Sequence, residues 1–178
     1  MKLLCILSLL ALGLTSCATM TVEECKVADW KSVGYKDGTN GETPDYFSKH
    51  GKACSKANVT PDIMAWQQGR AMGLKSYCTS SNAYNMGLAG KKLNLVCNVD
   101  NIDVLQVQNR KGLLIYKIEA DRKEIERLRE QRDKFYSGDN LGYKNRDKAR
   151  EYVNTIYNKI RSIQERINDE QNELYQLR

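Results

Sequence analysis

The strongest constraint on the fold lies in residues 103–178, which contain no proline or cysteine and repeat their apolar residues at alternating spacings of three and four. This spacing is the a/d pattern of a heptad repeat, which buries one stripe of a helix against a partner helix. The pattern forms two runs of nearly equal length, separated by the segment 137–142, whose sequence SGDNLG favours a turn. We therefore predict an antiparallel coiled-coil hairpin.

The pairing of residues across this hairpin can be tested on the sequence alone. If the chain folds back about residues 140 and 141, the facing a and d residues have numbers that sum to 281. Six of the nine layers then join two apolar residues: Val104 with Leu177, Val107 with Leu174, Leu114 with Ile167, Ile118 with Ile163, Ile125 with Ile156, and Leu128 with Val153. The other three join Lys111 with Glu170, Arg132 with Ala149, and Asp121 with Ile160. The register favours a hairpin over a long straight helix or a parallel dimer, and it leaves a dimer of hairpins open.

The first residues predict export and lipid attachment. Lys2 precedes an apolar run from Leu3 to Leu14, which has the length of a signal-peptide core and is too short to span a bilayer. The run ends in the segment 14–17, sequence LTSC, which resembles the bacterial lipobox. We predict a signal peptide over residues 1–16 and acylation of Cys17, and the alternative is an ordinary secretory signal with a coincidental cysteine. Ala18 stands where the inner-membrane lipoproteins that this segment resembles have a retention aspartate, which favours the outer membrane. We expect the protein to face the periplasm.

The remaining four cysteines all lie before residue 98. An even number of cysteines in a short exported region indicates two disulfides, for which three pairings are possible. We favour Cys25–Cys54 and Cys78–Cys97, because sequential neighbours close short loops. Residues 17–102 would then form a small disulfide-bonded head, which precedes the hairpin of residues 103–178.

His50 and Cys54 offer a different interpretation of one of these cysteines. They are four residues apart and would share one face of a helix, as half of a metal site or a Cys–His nucleophile pair. His50 is the one histidine of the chain, however, and the sequence contains no Cys-x-x-Cys motif to supply further ligands. We therefore expect structural disulfides, with no metal and no cofactor.

A recurring phrase in the head predicts closely packed short helices. An aromatic residue is followed three or four positions later by glycine, and a second glycine comes within four more, starting at Trp30, Trp66 and Tyr84. Glycines four apart share one side of a helix, where another backbone can approach closely. Turn-forming residues between the phrases divide the head into predicted helices near 22–38, 44–56, 61–77 and 82–92, with Thr60-Pro61 starting the third. A strand is conceivable only at 93–96. The fold class is therefore all-α.

This part of the chain resembles a known family. The matching residues, behind the lipobox, are Trp30, Gly34, Tyr35, Asp37, Gly38, Ala53, Cys54, Pro61, Asp62, Gly69, Arg70, Gly73, Leu74, Tyr77, Cys78, Tyr84, Gly87, Gly90 and Cys97. Together they resemble the Gram-negative lipoprotein family known as domain of unknown function 2799, over residues 22–97. Trp66 stands where the family pattern suggests tyrosine. The resemblance implies an envelope lipoprotein and brings no established activity, substrate or catalytic residue.

Five residues of the head are candidates for a ligand site: Trp30, Asp37, Trp66, Arg70 and Tyr77. Polar side chains beside packed glycines can line a cleft, where Arg70 would bind a carboxylate or phosphate through its planar fork. They can equally pair with each other in a small core. The sequence contains no G-x-S-x-G turn and no phosphate-binding loop, so we predict no catalytic residues.

The distribution of charge argues against a nucleic-acid partner. The net charge of +6 is spread thinly, with +2 over residues 17–102 and +3 over 103–178. We expect a non-enzymatic lipoprotein of the outer membrane, which contacts an envelope protein or a second copy of itself through the hairpin. The alternative is a periplasmic module that binds a small molecule or a cell-wall fragment.

Overall fold

The computed structural model describes residues 19–136 and 146–177. The predicted signal peptide, Cys17 and the predicted turn at 137–142 lie outside these ranges. The described residues form α-helices and short 3-10 turns without a strand, including at residues 93–96, which confirms the all-α class. The helices are α1 (Val22–Lys26), α2 (Trp30–Thr39), α3 (Phe47–Cys54), α4 (Ile63–Tyr77), α5 (Ser80–Leu88), α6 (Val99–Tyr136) and α7 (Arg146–Gln176).

The chain divides into two compact units, residues 1–75 and 76–178. The first unit contains α1, α2, α3 and most of α4, whereas the second contains α5, α6 and α7. Each unit contains one disulfide, Cys25–Cys54 in the first and Cys78–Cys97 in the second. The favoured pairing of the four cysteines is therefore confirmed.

Carboxylate side chains set the helix boundaries that the sequence pattern missed. The predicted helix 22–38 is two helices, because Asp29 caps the start of α2 by accepting a hydrogen bond from the Lys31 amide at 3.1 Å. The prediction that Thr60-Pro61 starts a helix is also wrong. Helix α4 starts at Ile63, and Asp62 accepts the amide hydrogen bonds of the next turn, at 2.9 and 3.0 Å.

Helices α2 and α4 pack with their backbones almost in contact. A Cβ atom on Gly34 or Gly69 would overlap a carbonyl group of the other helix, and so would one on Gly38 or Gly73. The facing carbonyls belong to Trp66 for Gly34, Lys31 for Gly69, Arg70 for Gly38 and Tyr35 for Gly73. Every contact that a glycine of α2 makes with α4 has an equivalent made by a glycine of α4 with α2. The equivalent residues are 35 positions apart, as Gly34 is from Gly69 and Gly38 is from Gly73. The pair is therefore parallel and nearly two-fold symmetric.

The second unit repeats this arrangement in α5 and α6. Gly87 faces the carbonyl of Asn109, and Gly112 faces the carbonyl of Tyr84, so the contact is again reciprocal. The Asn109 side chain lies beside this contact, where it donates to the carbonyls of Ala83 and Lys91 at 2.9 Å each. The Cys78–Cys97 bridge joins the residues two positions before each helix, which fixes the ends at which the parallel pair begins.

Helices α6 and α7 form the predicted hairpin core. A cluster of isoleucines and one leucine is buried between them: Ile118, Ile125, Leu128, Ile156, Ile160, Ile163 and Ile167. Asp121, which the register set opposite an isoleucine, is paired with Arg166 by two hydrogen bonds of 2.6 Å. Val104, an expected core residue, is 55% exposed. Within the described ranges, none of the helices combines the length and the apolar character needed to cross a membrane.

Candidate functional site in the N-terminal unit

Asp37, on α2, is the centre of a buried polar cluster in the first unit. It is only 6% exposed, and its Oδ2 atom accepts hydrogen bonds from Trp66 Nε1 and His50 Nε2, each at 2.7 Å. Trp66 is on α4 and His50 on α3, so one carboxylate oxygen joins three helices. A charged acceptor makes stronger hydrogen bonds than a neutral one, and burial strengthens them further.

His50 extends the cluster to the N-terminal segment of the unit. Its Nδ1 atom lies 3.0 Å from the hydroxyl oxygen of Thr19, and the ring is 3% exposed. Tyr46 contacts the ring edge-on, with 5.3 Å between centroids, and Trp30 lies at 6.2 Å. The threonine hydroxyl can donate to a neutral imidazole or accept from a protonated one, so the contact suits both forms.

The end of α2 positions a second polar contact. Gly41, with φ +71°, follows the last turn, while the amide of Glu42 donates to the carbonyl of Asp37 at 2.9 Å. This arrangement is a Schellman motif, which needs a left-handed residue and favours glycine. It turns the carbonyl of Glu42 towards Arg70, whose Nε donates to it at 2.7 Å.

Electrostatic effects of the buried carboxylate extend to its neighbours. Burial lowers the pKa of the Arg70 guanidinium from its ordinary value, and the negative charge of Asp37 opposes that shift. Burial raises the pKa of the Tyr46 hydroxyl, and the charges of Glu42 and Asp37 add to the increase. Burial is the largest cause of both shifts, because each group is partly withdrawn from water.

The structure brings four of the five predicted ligand-site residues into one unit. Asp37 and Trp66 are hydrogen-bonded to each other, the Arg70 guanidinium lies 5.8 Å from the Trp66 ring centroid, and Trp30 lies beside His50. Tyr77 belongs to the second unit, where its hydroxyl accepts a hydrogen bond from the Asn94 amide at 2.8 Å.

The two residues that sequence reasoning missed are His50, as a partner of Asp37, and Thr19. The spacing of four between His50 and Cys54 does place both on the buried side of α3. Cys54, however, is bonded to Cys25 and has no thiol to offer a metal or a substrate. The only sequence signal for the contact between His50 and Asp37 was therefore a single histidine on the apolar face of a helix.

The burial of this cluster indicates which role its side chains can have. Thr19, His50 and Asp37 occur in the order hydroxyl, imidazole and carboxylate, which is also the order of a nucleophile, base and orienting acid. The imidazole is enclosed by aromatic rings, and the carboxylate is shared with Trp66. The arrangement therefore suits holding α2, α3, α4 and the N-terminal segment together.

An open groove lies on the surface of the same unit, separate from the cluster. It has a volume of about 220 Å³ and lies along α2 and α4, where it is lined by Asp29, Lys31, Ser32, Tyr35, Gly69 and Met72. None of the five predicted ligand-site residues is among these lining residues.

Comparison with known proteins gives a family without an assigned activity. Residues 29–113 match the family model described as "Protein of unknown function (DUF2799)". The chain matches no curated protein and no solved structure. The match begins at the residue that caps α2 and ends in α6 just after Gly112, so it includes the glycine contacts of both helix pairs. With its aromatic, glycine and cysteine pattern, the chain is similar over these residues to the DUF2799 family.

Proposed function

We propose that this chain is a non-enzymatic lipoprotein of the bacterial outer membrane, with a structural or protein-contact role in the cell envelope. The proposal rests on one observation: the polar residues predicted to bind a ligand are hydrogen-bonded to other residues inside the core. Asp37 accepts hydrogen bonds from Trp66 and His50, and all three are at most 6% exposed. Residues that satisfy each other inside a core stabilise the fold, and they are not free to hold a substrate.

Two features support a location in the envelope. The disulfides Cys25–Cys54 and Cys78–Cys97 are typical of an oxidising compartment, where bridges form and persist. The lipobox-like segment 14–17 would direct the acylation of Cys17. Several acyl chains on one residue anchor a protein durably without a spanning helix.

The surface of the hairpin supports a role in protein contacts. Four tyrosines of α6 and α7 are between 48% and 73% exposed: Tyr116, Tyr136, Tyr157 and Tyr175. Tyrosine is enriched in protein interfaces, because it offers a large contact area and a polar hydroxyl group. An envelope protein or a second copy of the chain is the partner that this surface would contact.

Photocrosslinking in intact cells tests the contact surface. A photoreactive phenylalanine analogue at Tyr157 or Tyr175 is expected to give a discrete crosslinked species of higher mass. The matched control is the same analogue at Glu165, an exposed non-aromatic position on the same helix. If neither tyrosine position gives more product than Glu165, the hairpin is not the contact surface.

Metabolic labelling tests the anchor separately. Radiolabelled palmitate is expected to enter the mature protein and to be absent from a Cys17→Ser variant. Unlabelled mature protein from the unaltered chain would contradict lipid attachment.

A ligand-binding module remains the second candidate, and the groove along α2 and α4 is the observation that favours it. Neither tryptophan lines the groove, but Trp30 is on α2 and Trp66 on α4, so their fluorescence reports a movement of these helices when a ligand binds. Muropeptides and common periplasmic metabolites are the first ligands to titrate. Unchanged tryptophan emission and melting temperature would exclude those ligands.

A further inference from the structure

The N-terminal segment of the first unit is fixed in place almost as soon as it leaves the predicted lipid anchor. Thr19 is held at His50 by the 3.0 Å contact, and Met20 packs against the core around Trp66. Thr21 then caps α1 through a reciprocal pair of hydrogen bonds with Glu24, at 2.7 and 3.1 Å. The chain is therefore tied to its own core from residue 19 onwards.

The covalent distance left for a tether is very short. Thr19 is two residues after Cys17, and each residue spans at most about 3.8 Å, so their Cα atoms lie within about 8 Å of each other. The 57 described residues of the unit, 19–75, correspond to a radius of gyration of about 10 Å. The tether is thus shorter than the radius of the body that it would hold.

We infer that the first unit is seated directly on the lipid headgroups, with Thr19 as the point at which the membrane anchor meets the folded core. This inference rests on the proposed lipidation of Cys17. A unit whose attachment is shorter than its own radius cannot move away from the bilayer as a flexibly linked domain does. Neighbouring surface, including the short helix α1 and the 84% exposed Val27 that follows it, then lies within reach of the lipid interface.

Energy transfer from tryptophan to dansyl-labelled phosphatidylethanolamine measures the height of the unit. The chain has two tryptophans, Trp30 and Trp66, and both are in the first unit. The full-length acylated protein is reconstituted into vesicles that contain the labelled lipid. The test variant has 16 Gly/Ser residues inserted between Ala18 and Thr19, which retains every contact of Thr19 while adding about 22 Å of flexible chain.

Transfer is expected to fall by about half or more in this variant, because the added length exceeds the native reach of about 8 Å. The matched control carries the same insert between Gly138 and Asp139, which changes composition and length without separating the unit from Cys17. Its transfer is expected to equal that of the unaltered protein. Equal transfer for the Ala18–Thr19 insert and the control would overturn the seating of the unit.

A flotation assay on the same samples separates this inference from the proposed function. If the unaltered protein does not float with the vesicles, the lipid anchor itself is wrong. If it floats and the insert at Thr19 leaves the transfer unchanged, the anchor stands and the direct seating is wrong.

Discussion

Gly34 and Gly51 are both helical glycines, yet they are predicted to respond in opposite ways to alanine. A Cβ on Gly34 would overlap the carbonyl of Trp66, whereas a Cβ on Gly51 meets no atom within 4 Å. Gly34→Ala is expected to lower the free energy of unfolding by about 1–3 kcal/mol, because the two backbones must separate. Gly51→Ala is expected to be neutral or to stabilise by up to about 1 kcal/mol through helix propensity. Urea unfolding followed by tryptophan fluorescence measures both, and equal shifts would contradict the close packing.

Removing the carboxylate of Asp37 tests the polar cluster. Asp37→Ala leaves the Trp66 Nε1 and His50 Nε2 donors without their acceptor inside the core, and each lost partner costs about 1–3 kcal/mol. Asp37→Asn keeps an acceptor oxygen and is expected to lose less. Glu23→Ala, on the exposed side of α1, is the control and should change stability by under about 0.5 kcal/mol. A loss in Asp37→Ala no larger than in the control would show that the cluster contributes nothing.

At this scale the sequence predicted which residues mattered better than it predicted their partners. Asp37 and Trp66 follow from the aromatic-glycine phrase, and the structure joins them directly. The contacts of His50 span 13 residues to Asp37 and 31 to Thr19, and no local spacing encodes them. Long-range side-chain pairs depend on how whole helices pack, which a periodic pattern does not specify.

Two glutamates of α7, one turn apart, are expected to affect stability in opposite directions. One carboxylate oxygen of Glu170 is buried without a hydrogen-bond partner among the described residues, and burial, followed by the charge of Asp121, raises the pKa of that carboxyl. Glu173 accepts two hydrogen bonds from Arg110, at 2.5 and 2.6 Å, which lower the pKa of its carboxyl below the ordinary 4.5. Ionisation therefore opposes folding at Glu170 and favours it at Glu173.

Glu170→Gln is accordingly expected to raise the melting temperature at neutral pH. The gain in the free energy of unfolding should be no more than about 1 kcal/mol, because the site is partly hydrated. The advantage should shrink as the pH falls through the raised pKa, since the native glutamate then becomes protonated. Glu173→Gln should destabilise at neutral pH, and its deficit should also fade as the pH falls through the lowered pKa. Far-UV circular dichroism melts over a series of pH values, from neutral down to about pH 3, measure both variants. Destabilisation by Glu170→Gln at neutral pH would contradict the assignment.

The heptad pattern predicted α7 better than α6. The a/d residues of α7 from Val153 to Ile167 are buried, as the register requires. In the first part of α6 the buried residues include Asn109 and Gly112, whereas Val104 is exposed. The cause is α5, which packs in parallel on this part of α6 through Gly87. A two-helix register cannot anticipate a third helix that covers another face.

The two compact units share one plan, although each builds it with different residues. Each has a parallel pair of helices in glycine contact, and a disulfide joins segments that precede the pair. The first helix of each pair also ends in a left-handed glycine, Gly41 in one unit and Gly90 in the other. The repeated aromatic-glycine phrase predicted close helix packing but not its parallel direction. Parallel neighbours need a crossover connection, and in each unit the disulfide ties that crossover to the segment that precedes the first helix.

This division lets each disulfide be tested with its own probe. Removing Cys25–Cys54 through Cys25→Ser/Cys54→Ser releases a 29-residue loop, with an expected entropic loss of about 3.6 kcal/mol, and both sulfurs also leave a buried core. Tryptophan fluorescence reports the first unit, whereas far-UV circular dichroism is dominated by α6 and α7 of the second. The midpoint of unfolding measured by fluorescence should therefore fall by more than the midpoint measured by circular dichroism.

The reciprocal variant, Cys78→Ser/Cys97→Ser, is the matched control for that experiment. It releases a 19-residue loop, with an expected loss of about 3.2 kcal/mol, and the loss lies in the unit that contains no tryptophan. Its dichroism transition should shift more than its fluorescence transition, which reverses the order seen for the first pair. If both variants shift the two transitions equally, the chain unfolds as one cooperative body, because only a single transition gives coincident probes.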